Sequence, residues 1–301
     1  MHTRLQFTLL FLFLILNTSC SLKEMIFEDI VDSIEMGAVE FESESSWELM
    51  KNALPANAKM LEVLLRNAPE NTNLLTLLSK IYGSYSFGIL ETEYLKSEED
   101  SPEQLYYKQE LNQTYLKAAQ YGKRAILIKH PKCLEVIDNT DNINVCLKLM
   151  TAKDIDTLYW YGFSRAGYIN NNLDLVDALA SLGATRKIME KVAELQGDFY
   201  YGGSHLFHLI YYAARPAMMG GDLKKALNFY YKAKKSAPEG LHLAELFYAR
   251  YYLYRLQKKH EFESVLEKLS QANPEGPTAF LETIVKVRAQ HYLKIKNDLF
   301  L

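Results

Sequence analysis

An all-α fold of stacked antiparallel helical hairpins is what this 301-residue sequence predicts, on three observations. Apolar residues recur at three- and four-residue steps through most of the chain, which lays them along one face of a helix. Glycines and prolines fall at the joints between these runs. No stretch alternates apolar and polar residues with period two for long enough to make a strand.

The chain opens on a different signal. His2 and Arg4 precede an apolar run from Leu9 to Leu16, and Asn17-Thr18-Ser19 stand before Cys20. A charged start, a short apolar segment and small residues before a cysteine are the layout of a lipoprotein signal over residues 1–19, too short to remain as a membrane span. Cys20 is the expected lipidation site, so the mature chain begins there and is held to a membrane by acyl chains alone. The box is a relaxed one, with Asn17 three places before the cysteine and Leu16 one place early. The competing reading is a plain signal or a short anchor in which Cys20 is incidental. Residues 20–46 read as a lipidated tether and a loosely held helix, with Ile26, Ile30, Val31 and Ile34 at helical spacing. The run Glu42-Ser43-Glu44-Ser45-Ser46 reads as a solvated break before a compact domain at 47–301.

In that domain a helix is expected over 58–67, with Met60, Leu61, Leu64 and Leu65 on one face and Pro69 beyond it. The next, 74–89, carries Leu75, Leu78, Ser79 and Tyr82 at the large-large-small-large positions of a tetratricopeptide first helix. After a charged interruption at 97–102, residues 103–129 form a long helix whose Ala118, Ala119 and Ala125 allow close approach, and Pro131 ends it. A polar loop holds Cys133 and Cys146. Two readings stand there: a disulfide closing a short loop, or two buried free thiols, since sequence does not supply the Cβ geometry.

Helices follow at 154–170, 174–195 and 204–218. Gly220 and Gly221 suit a tight turn, and Asp222 is placed to cap the next helix, which Pro238 closes. Counting back from Pro238, the small, aromatic and small positions of a tetratricopeptide second helix hold Ala226, Tyr230 and Ala233. The following unit keeps Ala244, Phe247, Tyr248 and Tyr251 but has Phe262, Leu266 and Leu269 where small residues belong. Helices over 241–256, 260–271 and 278–295 complete a tetratricopeptide-like array, curved or closed.

A formal charge of −3 with mixed Lys and Glu leaves no basic footprint for nucleic acid. No GxSxG, HExxH, Walker or dinucleotide glycine pattern occurs. His205 and His208 lie three apart with no further ligand at a regular offset and read as structural. Gly202-Gly203-Ser204 reads as a turn with Ser204 as helix cap. Catalytic residues, a metal and a cofactor are therefore not expected, and the chain does not read as an enzyme.

Tyrosine is unusually common, 21 residues against 14 phenylalanines. Tyr159, Trp160, Phe163, Tyr200, Tyr201, Phe207, Tyr211 and Tyr212 crowd two successive hairpins, with Arg165 and Arg215 among them. One reading is plain core. The other is a groove or pore for an apolar or amphipathic ligand, the hydroxyls and arginines fixing a carboxylate. The candidate ligand residues are Tyr159, Trp160, Phe163, Arg165, Tyr201, Phe207, Tyr211 and Arg215. Tyr159 and Trp160 are adjacent on one helix, so only a subset faces a ligand.

Several of these segments resemble one family, the T component of tripartite ATP-independent periplasmic (TRAP) transporters. The resemblance rests on Leu158-Tyr159-Trp160-Tyr161-Gly162 and on Met219-Gly220-Gly221-Asp222-Leu223-Lys224-Lys225-Ala226 with Ala233 and Pro238 behind it. Tyr248-Ala249-Arg250-Tyr251 ahead of Phe262, Arg288-Ala289 and Asp298-Leu299-Phe300 extend it, and Glu62, Leu64, Pro69 and Leu74-Leu75 fit near the start. It covers about residues 40–301 and departs at Ser164-Arg165, where the family pattern has a second tryptophan. The resemblance implies a periplasmic lipoprotein that docks a TRAP-type solute-binding protein, forms a homo-oligomer, and holds or passes a hydrophobic small molecule through an apolar channel. The rival expectation is an envelope scaffold that binds another protein or peptide and has no ligand cavity. A scaffold needs a groove outside the stack; a ligand protein needs an apolar void within it.

Overall fold

The computed structural model describes residues 29–34 and 36–300, all helices and connections with no strand among them. Cys20 and the signal segment lie outside the described residues.

Helix α1, Trp47–Leu65, starts where the Ser46 hydroxyl accepts from the Leu49 N–H at 3.3 Å. It begins well before residue 58, because Pro55 sits inside it rather than ahead of it. Proline removes one backbone donor. Met50, Leu54, Ala58, Leu61 and Leu65 nevertheless form one unbroken buried stripe across it, and that burial outweighs the missing bond. Helix α2, Thr72–Tyr85, is capped by Asn71, whose side chain accepts from the Leu74 N–H at 2.8 Å. It runs on through a π-helical stretch, Ser86–Leu90, into Glu91–Lys96, past the end that periodicity suggests. Ser101 caps α3, Pro102–Lys129, with proline in its first turn.

Helices α4 (Ile155–Asn170), α5 (Leu182–Leu195), α6 (Phe199–Ala213) and α7 (Leu223–Ser236) follow. Gly220 is left-handed at φ +87°, and Asp222 caps α7 by accepting from the Lys225 N–H at 3.0 Å. Ala226, Tyr230 and Ala233 form the buried side of that helix. Helix α8 (Leu243–Phe247) widens into a second π-helical stretch, Tyr248–Leu253, and α9 (Lys259–Ser270) and α10 (Ala279–Lys294) close the chain.

Successive helices pack in sequence, α2 on α3, α3 on α4, α4 on α5, then α6 on α7 and α9 on α10. Helix α10 also returns to α1 and to the π-helical part of α2, so first and last elements share one core. Residues 29–46 are more than a tether. Val31 is fully buried against α1 and α2, and the Ser45 carbonyl accepts from the Thr283 hydroxyl of α10 at 3.2 Å.

Cys133 and Cys146 are joined as a disulfide, their Cα atoms 4.8 Å apart, both inside a cluster with Ile137, Ile143 and Met150. Closing a loop of this length restricts the unfolded chain by about 3 kcal/mol. Replacing both cysteines with alanine should lower the unfolding free energy by that order in a urea titration. An unchanged midpoint would mean that the buried side chains alone hold the loop.

Candidate functional site

A cavity of about 240 Å³ lies inside the stack. Helix α1 contributes Met50 and Leu54, α2 contributes Leu77, Ile81 and Phe87, and α10 contributes Phe280, Leu281 and Ile284. Tyr159, Trp160 and Phe163 enter from α4, and Tyr200, Tyr201, Phe207 and Tyr211 from α6. Both π-helical stretches take part, through Phe87 and Tyr251. A π turn adds one residue to a helical repeat and so re-aims the side chains after it, a device common at functional sites.

The aromatic wall is packed edge to face. The Trp160 ring lies 4.7 Å from Tyr200, 5.0 Å from Tyr159 and 5.3 Å from Phe163. Although 159 and 160 are neighbours on one helix, both line the cavity, because rings of this size reach it from either flank of the helix face. Tyr159 owes its place to Gly203, where a Cβ atom would come within 2.6 Å of the Tyr159 ring.

At the start of α6, Tyr200, Tyr201 and Gly202 are all left-handed, with φ of +43°, +58° and +75°. Glycine adopts that conformation freely; each tyrosine does so at a cost of roughly 1–2 kcal/mol. The turn brings both rings to the cavity. Ser204 is buried and its hydroxyl has no partner, so it is not the cap that the sequence suggests.

One side of the cavity is shut by the segment before α1, through Ile34, Ala38 and Phe41. Glu42, placed by sequence in a solvated break, instead pairs with Lys80 at 3.1 Å and accepts from the Tyr201 hydroxyl at 2.9 Å. Lys80 in turn stands 5.5 Å from the Tyr200 ring centre. Burial, reinforced by Glu42, pushes the Tyr201 phenol well above its usual range, so it stays a donor.

Two further polar groups of the lining, Glu91 and Asn170, are satisfied. Glu91 accepts from the Tyr115 hydroxyl at 2.9 Å, from Asn171 at 3.2 Å and from Arg288 at 3.0 Å. Asn170 donates to the Tyr251 hydroxyl at 3.1 Å, and burial pushes that phenol up to about 12.

Of the residues that sequence proposes as ligand contacts, Tyr159, Trp160, Phe163, Tyr201, Phe207, Tyr211 and Arg215 line the cavity. Arg165 does not. Its guanidinium is turned toward the disulfide loop, donating to Thr185 at 3.0 Å and Tyr161 at 2.7 Å and pairing with Asp138. Phe87, Glu91, Tyr115 and Tyr251 are lining residues that sequence reasoning passed over. No sequence signal marks Glu91 or its partner Arg288, since each stands among other charges, Glu91 with Glu93 and Lys96 and Arg288 with Lys286 and Lys294.

His205 and His208 lie off the cavity lining. The His208 Nδ1–H donates to the Ser204 carbonyl at 2.7 Å, and the ring stacks on Phe229 at 4.7 Å. Burial pushes His208 down to about 4 from 6.5. The unfolded chain therefore binds the extra proton first. The stability that this neutral ring contributes is full above pH 6.5 and lost as pH falls toward 4. Urea midpoints should drop between pH 7.5 and 5, and His208→Gln should flatten that drop. An equally steep drop in the variant would contradict the assignment.

Among the described residues no group of three or more His, Cys, Asp or Glu is placed to hold a metal, and no helix is long and apolar enough to cross a membrane. Residues 43–300 match the sequence model of a family described as TRAP transporter T-component. No curated protein matches the chain.

Proposed function

Because this chain belongs to the TRAP transporter T-component family, we propose that it is the binding and docking accessory of a TRAP uptake system. It is anchored at Cys20 on the periplasmic side of a membrane, docks a TRAP-type solute-binding protein, and holds or passes an apolar solute in its interior. It acts as a homo-oligomer of tetratricopeptide-like subunits and works by recognition rather than by catalysis.

The observation that carries this reading is the position of the void. It lies inside the stack, walled by aromatic rings from α2, α4, α6 and α8, whereas a scaffold that gripped a peptide would need only an outer groove. Tyrosine and tryptophan rings offer large apolar faces, and the hydroxyls of Tyr115, Tyr201 and Tyr251 on the lining are bonded to the protein, which suits an apolar site.

Protein purified from membranes in mild detergent is expected to bring down a TRAP-type solute-binding protein. Recovery of unrelated envelope proteins alone would overturn the docking reading. Cys20→Ala should leave the protein soluble in the periplasm; continued membrane attachment would refute the lipid anchor.

A further inference from the structure

We propose that the ligand of the cavity is an amphiphile with a single carboxylate, its tail among the aromatic rings and its head on Arg215. The inference rests on the cavity reading above and specifies the chemistry of what enters.

The charges along the cavity lining are Glu42, Lys80, Glu91 and Arg215. Glu42 and Lys80 answer one another, and Glu91 is answered by Arg288 from behind the wall. Arg215 is left over. It has no carboxylate and no hydrogen-bond acceptor among the described residues, and its Nη1 is shut off from water with nothing to bond. Its guanidinium lies 4.0 Å from the centre of the Tyr211 ring, which orients the planar fork without neutralising it. Arg186, 6.0 Å from that ring, is already paired with Glu190. The cavity therefore carries one uncompensated positive charge, set in an otherwise apolar or self-paired lining.

Arg215 follows the end of α6, half-buried, and the exposed Ala214 beside it lines the same cavity, so this part of the lining lies next to solvent while Nη1 stays covered. The deep lining of Trp160, Phe163, Phe247 and Ile284 is apolar. A molecule with a charged head and an aliphatic or aromatic tail fits both ends at once. A guanidinium presents parallel N–H donors that match the two oxygens of a carboxylate, and one such cation balances one anionic charge.

The test uses the full chain carrying Cys20→Ala, so that no acyl group of its own competes for the cavity. Dodecanoate, dodecanol and dodecyl phosphate are titrated calorimetrically at pH 8. Dodecanoate is expected to bind roughly tenfold or more tighter than dodecanol, the scale of a charge-assisted hydrogen bond in a sheltered site. Arg215→Met should erase that preference while dodecanol affinity and thermal midpoint hold, and Arg215→Lys should restore part of it. Equal affinity for acid and alcohol, or a preference that survives Arg215→Met, overturns the proposal and leaves the cavity reading standing. Tighter binding of dodecyl phosphate than of dodecanoate overturns the carboxylate. Binding of none of the three overturns the cavity reading and this inference with it.

Discussion

Arg288→Met is expected to lower the unfolding free energy by about 3–5 kcal/mol, the cost of leaving one partner of a buried ion pair alone. Arg288 is 2% exposed and reaches from α10 into the π-helical part of α2. There it donates to Glu91 at 3.0 Å, to the Thr92 hydroxyl at 2.9 Å and to the Phe87 carbonyl, with its guanidinium 4.4 Å from the Phe87 ring centre. Removing it strands a carboxylate at the cavity wall and frees a carbonyl in a stretch whose backbone pairing is already irregular. A well-packed apolar pair desolvates no charge, so Glu91→Met combined with Arg288→Met should recover much of the loss. Urea titrations of the two single variants and the double variant measure this. A double variant less stable than Arg288→Met would contradict the stranded-charge explanation.

Trp160→Ala is expected to cost about 3–5 kcal/mol, the range for deleting a buried indole. The side chain is 1% exposed, touches three aromatic rings, and stands near the Asp156 carboxyl one turn earlier. Burial already holds the Asp156 carboxyl above its usual range, an effect the nearby indole opposes, so losing the indole adds to the cavity cost. Trp160→Phe, which keeps most of the ring contact, should lose less. Two readouts separate wall from filler. If Trp160 is cavity wall, the alanine variant unfolds more readily yet accommodates dodecanol at least as well as the native chain. Loss of stability and of dodecanol binding together, at temperatures where the variant is folded, would contradict that role.

The helices themselves were largely legible. Three- and four-residue spacing, the Asp222 cap and the Gly220 turn describe what the α6–α7 hairpin does. Local rules fail where tertiary packing overrides them. Pro55 should end a helix but sits within a buried stripe strong enough to carry the helix past it. The two π-helical stretches leave no periodic mark, because one added residue looks like ordinary scatter in apolar spacing. The left-handed Tyr200 and Tyr201 oppose residue preference outright, and only the fold holds them.

The aromatic wall could be read from the density of rings in α4 and α6. Which arginine faced it could not. Arg165 and Arg215 each follow a tyrosine by four residues, and only Asp138, supplied by the disulfide loop, draws Arg165 away. The pairing of Glu91 with Arg288 spans 197 residues, a separation over which no sequence pattern fixes contact.

A ligand-holding interior requires that an apolar chain enter beside Trp160. The protein has two tryptophans, and Trp47 lies off the cavity lining, its indole N–H bonded to Glu93 at 3.1 Å. In a Trp47→Phe chain all tryptophan fluorescence comes from Trp160, and a bromine atom quenches an indole only at close contact. Titration with terminally brominated dodecanol is predicted to quench that emission saturably, with one equivalent bound per chain. Quenching that is absent, or that rises without saturation, would contradict a ligand-holding interior.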